Sequence, residues 1–414
     1  MGCILILLME FGMTTDISEA ILDHLDREGL IGDLVRPDYT GYSILNVAPT
    51  IAAFLGINLE TGKPLQQLEI VKGAIKAEGI SPKHEKVVLL FIDSFNKSMD
   101  DLIIDAVKEK KCVSGVLTST FPSLTPTCTA SMTTGIPPIS HGIVGFNILI
   151  EGSIYSIFEL EPMLGGKELS LDFLKEIFDL PDIFALCKSE GIGVTILLPE
   201  DIAAKESSTA IFEDIRIEQF ESFREMFLKV REIEDRFLYV YIPVFDTILH
   251  DEGASSAKIH SELSNLIEAL KSEVDNFKNT LLFLISDHGQ IELNPENVLR
   301  LDNARLLRCY THPPAVSGGR IAYLYTDSVE EVESILEKEK DRVILMRSED
   351  AVSGGLFGKG SVAAEFKERI GDLVLIAKGN TYLKYPYLND KTYKSSHGAL
   401  SREEMLVPFT LIEF

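Results

Sequence analysis

Basic residues are scarce in this chain. Lys and Arg total 39 against 64 Asp and Glu, a formal charge of −25. A nucleic-acid scaffold needs clustered cations to neutralise phosphates, so the balance argues against that class; a small anionic substrate held by metal ions remains compatible with it. Cysteine is also sparse: five residues, at positions 3, 112, 128, 187 and 309, with no Cys-x-x-Cys pair. An odd, widely spaced set speaks against a disulfide framework and for reduced thiols in a cytosol. No apolar stretch reaches the length of a membrane span. Residues 1–13 are apolar but short, and they lack a basic leading region and an Ala-x-Ala cleavage site. Position 6 is Ile, where N-myristoylation would require Ser or Thr. The expectation is a cytoplasmic protein with no membrane partner, its first residues a buried strand or an over-extended start. Met13 is an alternative first residue, because Asp16 and Glu19 make a capping-box-like helix opening directly after it. Internal repeats and low-complexity tracts are absent as well.

Hydrophobic residues make up 45% of the 414, enough for a sizeable core in one large domain with an insertion, or in two domains. Apolar runs at 87–92, 113–117, 194–198, 237–242 and 281–285 read as strands, the first as a buried parallel one. Helical patterns lie at 18–27, 51–55, 99–110, 171–177, 183–189, 218–234 and 255–277, with a connection of some helical character at 64–86 and a turn-rich segment at 137–145. The alternation predicts a doubly wound, mostly parallel α/β sheet. From about 299 to 377 the texture changes. Short strands at 321–325, 343–346 and 373–376, with a charged helix at 329–340, predict a smaller inserted α+β subdomain. It would interrupt a main domain of 1–298 and 378–414, on which 1–80 packs as an N-terminal segment and in which 406–412 is the last strand.

The stretch from Phe121 to Gly135 organises the chain. Thr125 precedes Pro126, and proline favours the first position of a helix, so Thr125 is expected as an N-cap. The helix would run to Thr134 and close at Gly135. A hydroxyl at a helix N-terminus faces unpaired N–H groups, which stabilise negative charge on oxygen or a bound phosphate. A threonine there is by itself more commonly a plain cap.

Asp93, Asp246 and Asp287 each fall at or just past the carboxyl end of a predicted strand, where open α/β sheets bind ligands. His250 follows Asp246 by four residues, His288 adjoins Asp287, and His397 lies in Ser396-His397-Gly398. Mixed carboxylate and imidazole ligands suit zinc or manganese rather than calcium.

Phe91-Ile92-Asp93, Pro122-Ser123-Leu124-Thr125, His141-Gly142-Ile143-Val144-Gly145, Asp246-x-x-x-His250, Ser286-Asp287-His288-Gly289 and His397-Gly398 occur in that order. Together they resemble the type I phosphodiesterase/nucleotide pyrophosphatase family of the alkaline phosphatase superfamily, over about 81 to 414. The resemblance implies a sheet of the alkaline phosphatase type and a hydrolase of phosphodiester or pyrophosphate bonds in small phosphate esters such as nucleotides. It implies two divalent metal ions, zinc first and manganese second, one on Asp93, Thr125, Asp287 and His288, the other on Asp246, His250 and His397. It also implies that Thr125 attacks phosphorus and becomes a phospho-threonine. A cation beside that hydroxyl would ease loss of its proton, and a second would stabilise the leaving oxygen of an in-line displacement.

The chain departs from the family pattern twice. Nucleotide pyrophosphatases place an Asn just after the His-Gly motif, against a phosphoryl oxygen. Phe146 stands there here and Asn147 one residue beyond, so both are candidate substrate contacts. Superfamily members also carry a segment like D-I-A-P-T-I-x-x-x-L-G after the last strand. Here Asn46-Val47-Ala48-Pro49-Thr50-Ile51 to Gly56 lies near the start, as in a circular permutation. Gly354 to Ser361 resembles a phosphate loop but has Gly360 where Ser or Thr must follow Lys359, and reads as a turn. His312 and Arg320 read as surface residues that could reach the site; His24, His84 and His260 read as exposed, and Cys128 as a packing residue. Two alternatives stand beside the diesterase. One is a phosphomonoesterase or phosphotransferase, marked by cations supplied from 299–377. The other is a non-catalytic metal-binding interaction protein.

Overall fold

The computed structural model describes residues 14–28, 30–31, 34–39, 41–57, 84–158, 162–164, 166–388 and 393–414. The expectations for residues 1–13, for Cys3, for the His24 side chain and for most of the 64–86 connection lie outside them. Eight strands form the main sheet. In chain order they are β1 (Thr14–Asp16), β2 (Lys86–Ile92), β3 (Lys111–Thr118), β4 (Val194–Pro199), β5 (Arg216–Phe220), β6 (Phe237–Ile242), β7 (Thr280–Ile285) and, last in the chain, Leu406–Glu413. A four-stranded second sheet comes before that last strand. It contains β8 (Tyr310–Ser317), β9 (Ile321–Thr326), β10 (Val343–Arg347) and β11 (Leu373–Ala377), which makes Leu406–Glu413 β12.

The main sheet runs β1-β3-β12-β7-β2-β6-β4-β5. All neighbours are parallel except β12, which is antiparallel to both β3 and β7. Its central strands are buried on both faces, which is why they read as continuous apolar runs. Side chains alternate between two cores. Val87, Leu89 and Phe91 of β2 join one face, covered by α1 (Ser18–Glu28), α2 (Val47–Leu55), α4 (Thr125–Thr134) and α5 (Ile183–Ser189). Val88, Leu90 and Ile92 join the other, covered by α3 (Lys97–Ala106), α6 (Phe223–Glu232), α7 (Val244–Glu252) and α8 (Ala257–Glu273).

Register decides where the segments carrying Asp93, Asp246 and Asp287 emerge. Ile285 of β7 lies beside Phe91, and Ile242 of β6 beside Ile92, so three carboxyl ends stop level. Because β12 is antiparallel, with Leu406 paired to Thr118, the segment 397–405 that enters it arrives at the same edge. The chain leaves β2 toward β3 on one side, and β6 flanks it on the other. Asp93 therefore stands at the switch point where α/β sheets bind ligands.

The structure differs from the sequence reading in several elements. Residues 218–234 are not one helix. Arg216–Phe220 is an edge strand parallel to β4, and α6 begins after Ser222, whose hydroxyl accepts the Glu225 N–H. Sheet pairing overrode the helical periodicity, although Ser222 and Glu225 have the spacing of a capping box. Thr125 is the first helical residue rather than the cap: the Cys128 N–H meets the Leu124 carbonyl at 2.9 Å. The small sheet gains β8, a strand the Thr311-His312-Pro313-Pro314 run had concealed. Residues 138–141 form a short helix, and 147–164 carry three short strands of their own. α2 shares a core with Val407, Phe409 and Leu411 of β12 but sits over β2, α4 and α5. Among the described residues no helix is long and apolar enough to cross a membrane.

One buried acid under the sheet gives a pH test. Asp100 of α3 accepts Thr410 Oγ1 at 2.8 Å and pairs with Lys97 at 3.3 Å. Burial raises its pKa from 3.8 to about 6, against the opposing pull of Lys97 and Thr410. A folded pKa above the unfolded one means that stability present below about pH 4 is lost as pH rises through about 6. Urea melts at about pH 4 and about pH 8 should show the wild type losing about 2–3 kcal/mol more than Asp100→Asn. Equal losses would show that Asp100 titrates normally.

Candidate active site and metal centre

Three carboxylates converge beyond the level strand ends. Asp93 follows β2 directly, Asp287 lies two residues past β7, and Asp246 sits in the first turn of α7. Asp93 and Asp287 are buried, and Asp246 is half-buried. His250, one helical turn after Asp246, places Nε2 3.4 Å from Asp246 Oδ1. His397 Nε2 reaches the same oxygen at 3.6 Å. His288 Nε2 lies 3.1 Å from Asp287 Oδ2 and 3.6 Å from Asp93 Oδ1. The His288 and His397 rings stack at 3.6 Å. All six expected acids and imidazoles are thus brought together, and Thr125 joins them: its Oγ1 is 3.1 Å from His288 Nε2.

Two triplets have donor atoms within 4.8 Å of one another. Asp246, His250 and His397 form the first, as anticipated. The second is Asp93, Asp246 and His288, so Asp246 stands between the two groups, with Asp287 beside them. The donor set fits divalent cations on physical grounds. Asp93 Oδ1 and Asp287 Oδ2 are buried and accept no hydrogen bond, a costly arrangement for carboxylates unless positive charge faces them. Burial, with Asp287 and Asp246 nearby, raises the Asp93 pKa well above the ordinary value. Burial opposes protonation of His288, but Asp287 and Asp246 outweigh it and raise its pKa. His397 is pushed well below its usual value by burial and by His288 and His250, so it presents a neutral ring. The backs of two imidazoles are anchored, His250 Nδ1 on the Ser395 carbonyl and His397 Nδ1 on the Ser123 carbonyl, each at 2.9 Å. Such contacts orient ligand rings toward a metal.

Several supporting residues were not anticipated. Tyr241 donates its hydroxyl to Asp93 Oδ2 at 2.5 Å. Ser94, with φ +57°, gives Oγ to Asp246 Oδ1 at 2.7 Å and meets His288 Nδ1 at 3.1 Å. Gln290 Nε2 donates to Asp246 Oδ1 at 2.6 Å, and its own carbonyl accepts Ser395 Oγ. The polar tyrosines at alternate positions of Phe237–Ile242 were the one signal available; nothing local pointed to Ser94 or Gln290.

Other candidates fall elsewhere. Arg320 is neither a surface residue nor over the site. It is buried and grips Glu404 through two 3.0 Å contacts, and Glu404 in turn accepts the Ala399 N–H beside His397. Asn147 is tied to β8: its Nδ2 donates to the Val316 carbonyl and its N–H to Ser317 Oγ. Phe146 does line a cavity of about 360 Å³ that opens on Thr125, Asp93 and Asp246. His141 is structural. Its Nδ1 accepts the Ile143 N–H and its Nε2 contacts Ser131, while burial and then Arg369 push its pKa down to about 3. His312 is partly buried against Tyr325, His260 is exposed, and His84 is buried beside Phe54 rather than exposed. Residues 354–361 form a turn after the helix Ser348–Ser353, with no helix opening after Lys359. Cys128 is buried, and burial followed by Asp287 pushes its thiol up to about 12.

A mostly parallel α/β sheet with an Asp/His cluster and a helix-terminal threonine at its carboxyl edge is the architecture of the alkaline phosphatase type. The family model for type I phosphodiesterase / nucleotide pyrophosphatase matches residues 88–160 and 198–400, and the chain belongs to that family, whose members hydrolyse phosphoric esters. Solved structures share the fold. A murine ectonucleotide pyrophosphatase/phosphodiesterase 5, an inactive variant in complex with AMP, is 17% identical over 80% of this chain and 88% of its own, with a TM-score of 0.56. Phosphonoacetate hydrolase from Sinorhizobium meliloti, in complex with phosphonoformate, is 19% identical over 79% and 89%, with a TM-score of 0.57. No curated protein matches the sequence significantly.

The Tyr241–Asp93 contact is testable. Tyr241→Phe should weaken zinc binding by about tenfold, as removal of a hydrogen bond behind a ligand typically does, read by competition with a chromogenic chelator. Unchanged affinity would mean that Asp93 is oriented by other groups.

Proposed function

We propose that this chain hydrolyses phosphodiester or pyrophosphate bonds by direct attack of Thr125. The observation that carries the reading is the placement of Thr125 Oγ1, 3.1 Å from His288 Nε2 at the first turn of α4, near two buried carboxylates that each have one oxygen accepting no hydrogen bond. Asp93, Asp287 and His288 with Thr125 would hold one divalent cation, and Asp246, His250 and His397 the other. The mixed donor set favours zinc, with manganese second. Bound cations would supply positive charge to the entering and leaving oxygens.

The chain's own residues do the rest. Thr125 Oγ1 forms a bond to phosphorus as the ester oxygen departs with a proton, leaving a phospho-threonine; water then cleaves that bond and restores the hydroxyl. First-turn N–H groups of α4, unpaired within the helix, favour negative charge there. Tyr241 and Ser94 hold the carboxylates in place, and the cavity wall excludes bulk water from one side.

A diester is favoured over a monoester by the fate of two cations. Arg320 is committed to Glu404, and Arg369 donates to the Gly142 carbonyl. The 299–377 segment, read as an inserted cap, therefore does not bring these two to a terminal dianionic phosphate. The buried free thiols Cys112, Cys128, Cys187 and Cys309 suit a reducing, cytoplasmic setting.

Metal-stripped protein reloaded with zinc or manganese should cleave bis-p-nitrophenyl phosphate faster than p-nitrophenyl phosphate. Thr125→Ala should lower the rate by roughly 1000-fold or more. Faster monoester cleavage would make the protein a phosphatase, and full activity in Thr125→Ala would overturn the covalent route. Metal binding without turnover of either ester would point to an interaction role.

A further inference from the structure

The cavity in front of Thr125 extends well behind the reacting centre. Tyr241 and Tyr239 lie two residues apart on β6, on one face of the sheet, so the cavity wall runs back from Asp93 by about 7 Å. Aromatic rings dominate that wall. Phe146, Phe158 and Phe178 form one linked set, with successive centroids 6.0 Å apart. Phe184 and Phe212 form another around Tyr239, at 5.5 and 6.1 Å. The volume, about 360 Å³, is near the small end of ligand pockets.

Polar hydrogens on the wall are largely committed to the protein. Thr133, Thr134 and Ser208 give their hydroxyl hydrogens to the carbonyls of Thr129, Ala130 and Ile202. Asp182 accepts the Ala185 N–H at 2.8 Å as a helix cap. Lys205, the one cation among the described lining residues, is exposed. Tyr239 is the exception among the buried hydroxyls of the wall, while the half-buried Thr129 and Ser207 are uncommitted as well. It is 98% buried, its hydroxyl has no hydrogen-bond partner among the described residues, and its side chain lines the cavity. Its oxygen is open to the cavity and can donate to an acceptor on a ligand.

A nucleoside would bring two ribose hydroxyls and a ring of base donors and acceptors into this space. Beyond Thr129, Ser207, Lys205 and Asp182 the aromatic wall offers them few partners, and such a wall disfavours polar groups by stranding them. We propose that the cavity takes a flat, largely apolar organic group of a phosphate ester, an aryl group with a single acceptor at its far end, and that Tyr239 donates the hydrogen bond that fixes it. This rests on the reading of Thr125 as the reacting centre and adds to it the class of alcohol carried by the ester.

Binding, independent of turnover, tests it. Zinc-loaded full-length protein is titrated calorimetrically with 4-acetylphenylphosphonate, phenylphosphonate and AMP. The acetyl compound should bind about tenfold more tightly than AMP, and Tyr239→Phe should weaken it by about tenfold while leaving phenylphosphonate unchanged. Tighter binding of AMP, or equal weakening of both phosphonates in Tyr239→Phe, would overturn the proposal. Hydrolysis of bis-p-nitrophenyl phosphate, followed in the same preparations, separates the two readings: expected binding without turnover removes the hydrolytic one and leaves this one standing.

Discussion

Three carboxylates within one small volume are an electrostatic problem that the rest of this structure is arranged to hold in place. Asp93 and Asp287 are buried, and each has an oxygen that accepts no hydrogen bond. Burial, reinforced by the neighbouring Asp287 and Asp246, raises the Asp93 pKa, and, against the effect of burial, the negative charge of Asp287 and Asp246 raises that of His288. A surface cluster could relax by turning its side chains to water. This one cannot, because each acid is attached to the end of a strand or the start of a helix packed on a two-faced core. The fold thereby stores a demand for positive charge at one point, and Thr125 is placed at that point.

Rigidity comes from contacts at several distances. Nearest the ligands, Tyr241, Ser94 and Gln290 set carboxylate orientation. Further out, the Arg320–Glu404 pair holds the segment that carries His397, joining the small sheet to the entry of β12. A buried pair of that kind contributes more to a defined geometry than to net stability, since desolvation offsets most of its attraction. On the opposite side, Tyr39 accepts the Phe121 N–H and donates to the Leu356 carbonyl, so the N-terminal segment braces the approach to Thr125. The small sheet therefore acts on the site through support rather than by presenting Arg320 to substrate.

The same arrangement separates two environments a short distance apart. Around Asp93 and Asp246 the cavity is charged and ready for cations; behind Tyr241 it is aromatic, with few uncommitted hydrogen-bond donors. On the proposed reading, a phosphoester spanning both would place its phosphorus in the first and its organic group in the second, and specificity and chemistry would then rest on different residues of the same strands.

Much of this was legible in the residues. Continuous apolar runs announced the central strands because burial on both faces leaves no polar alternation. The Asp/His cluster was readable because acids and imidazoles followed those runs at the edge where such sheets bind, and because their order resembled a known family. Gly135 and Pro126 marked the helix that begins at Thr125 to within one residue. What tertiary structure alone decided involves neighbours that are distant in the chain. Arg216–Phe220 became a strand only because β4 offered an edge. Arg320 and Asn147 turned inward because Glu404 and Val316 met them, and Asp246 came to stand between two ligand sets because α7 starts level with Asp93. Local sequence encodes periodicity and chemistry; which hydroxyl meets which carboxylate depends on strand order and register, and those are set by the whole core at once.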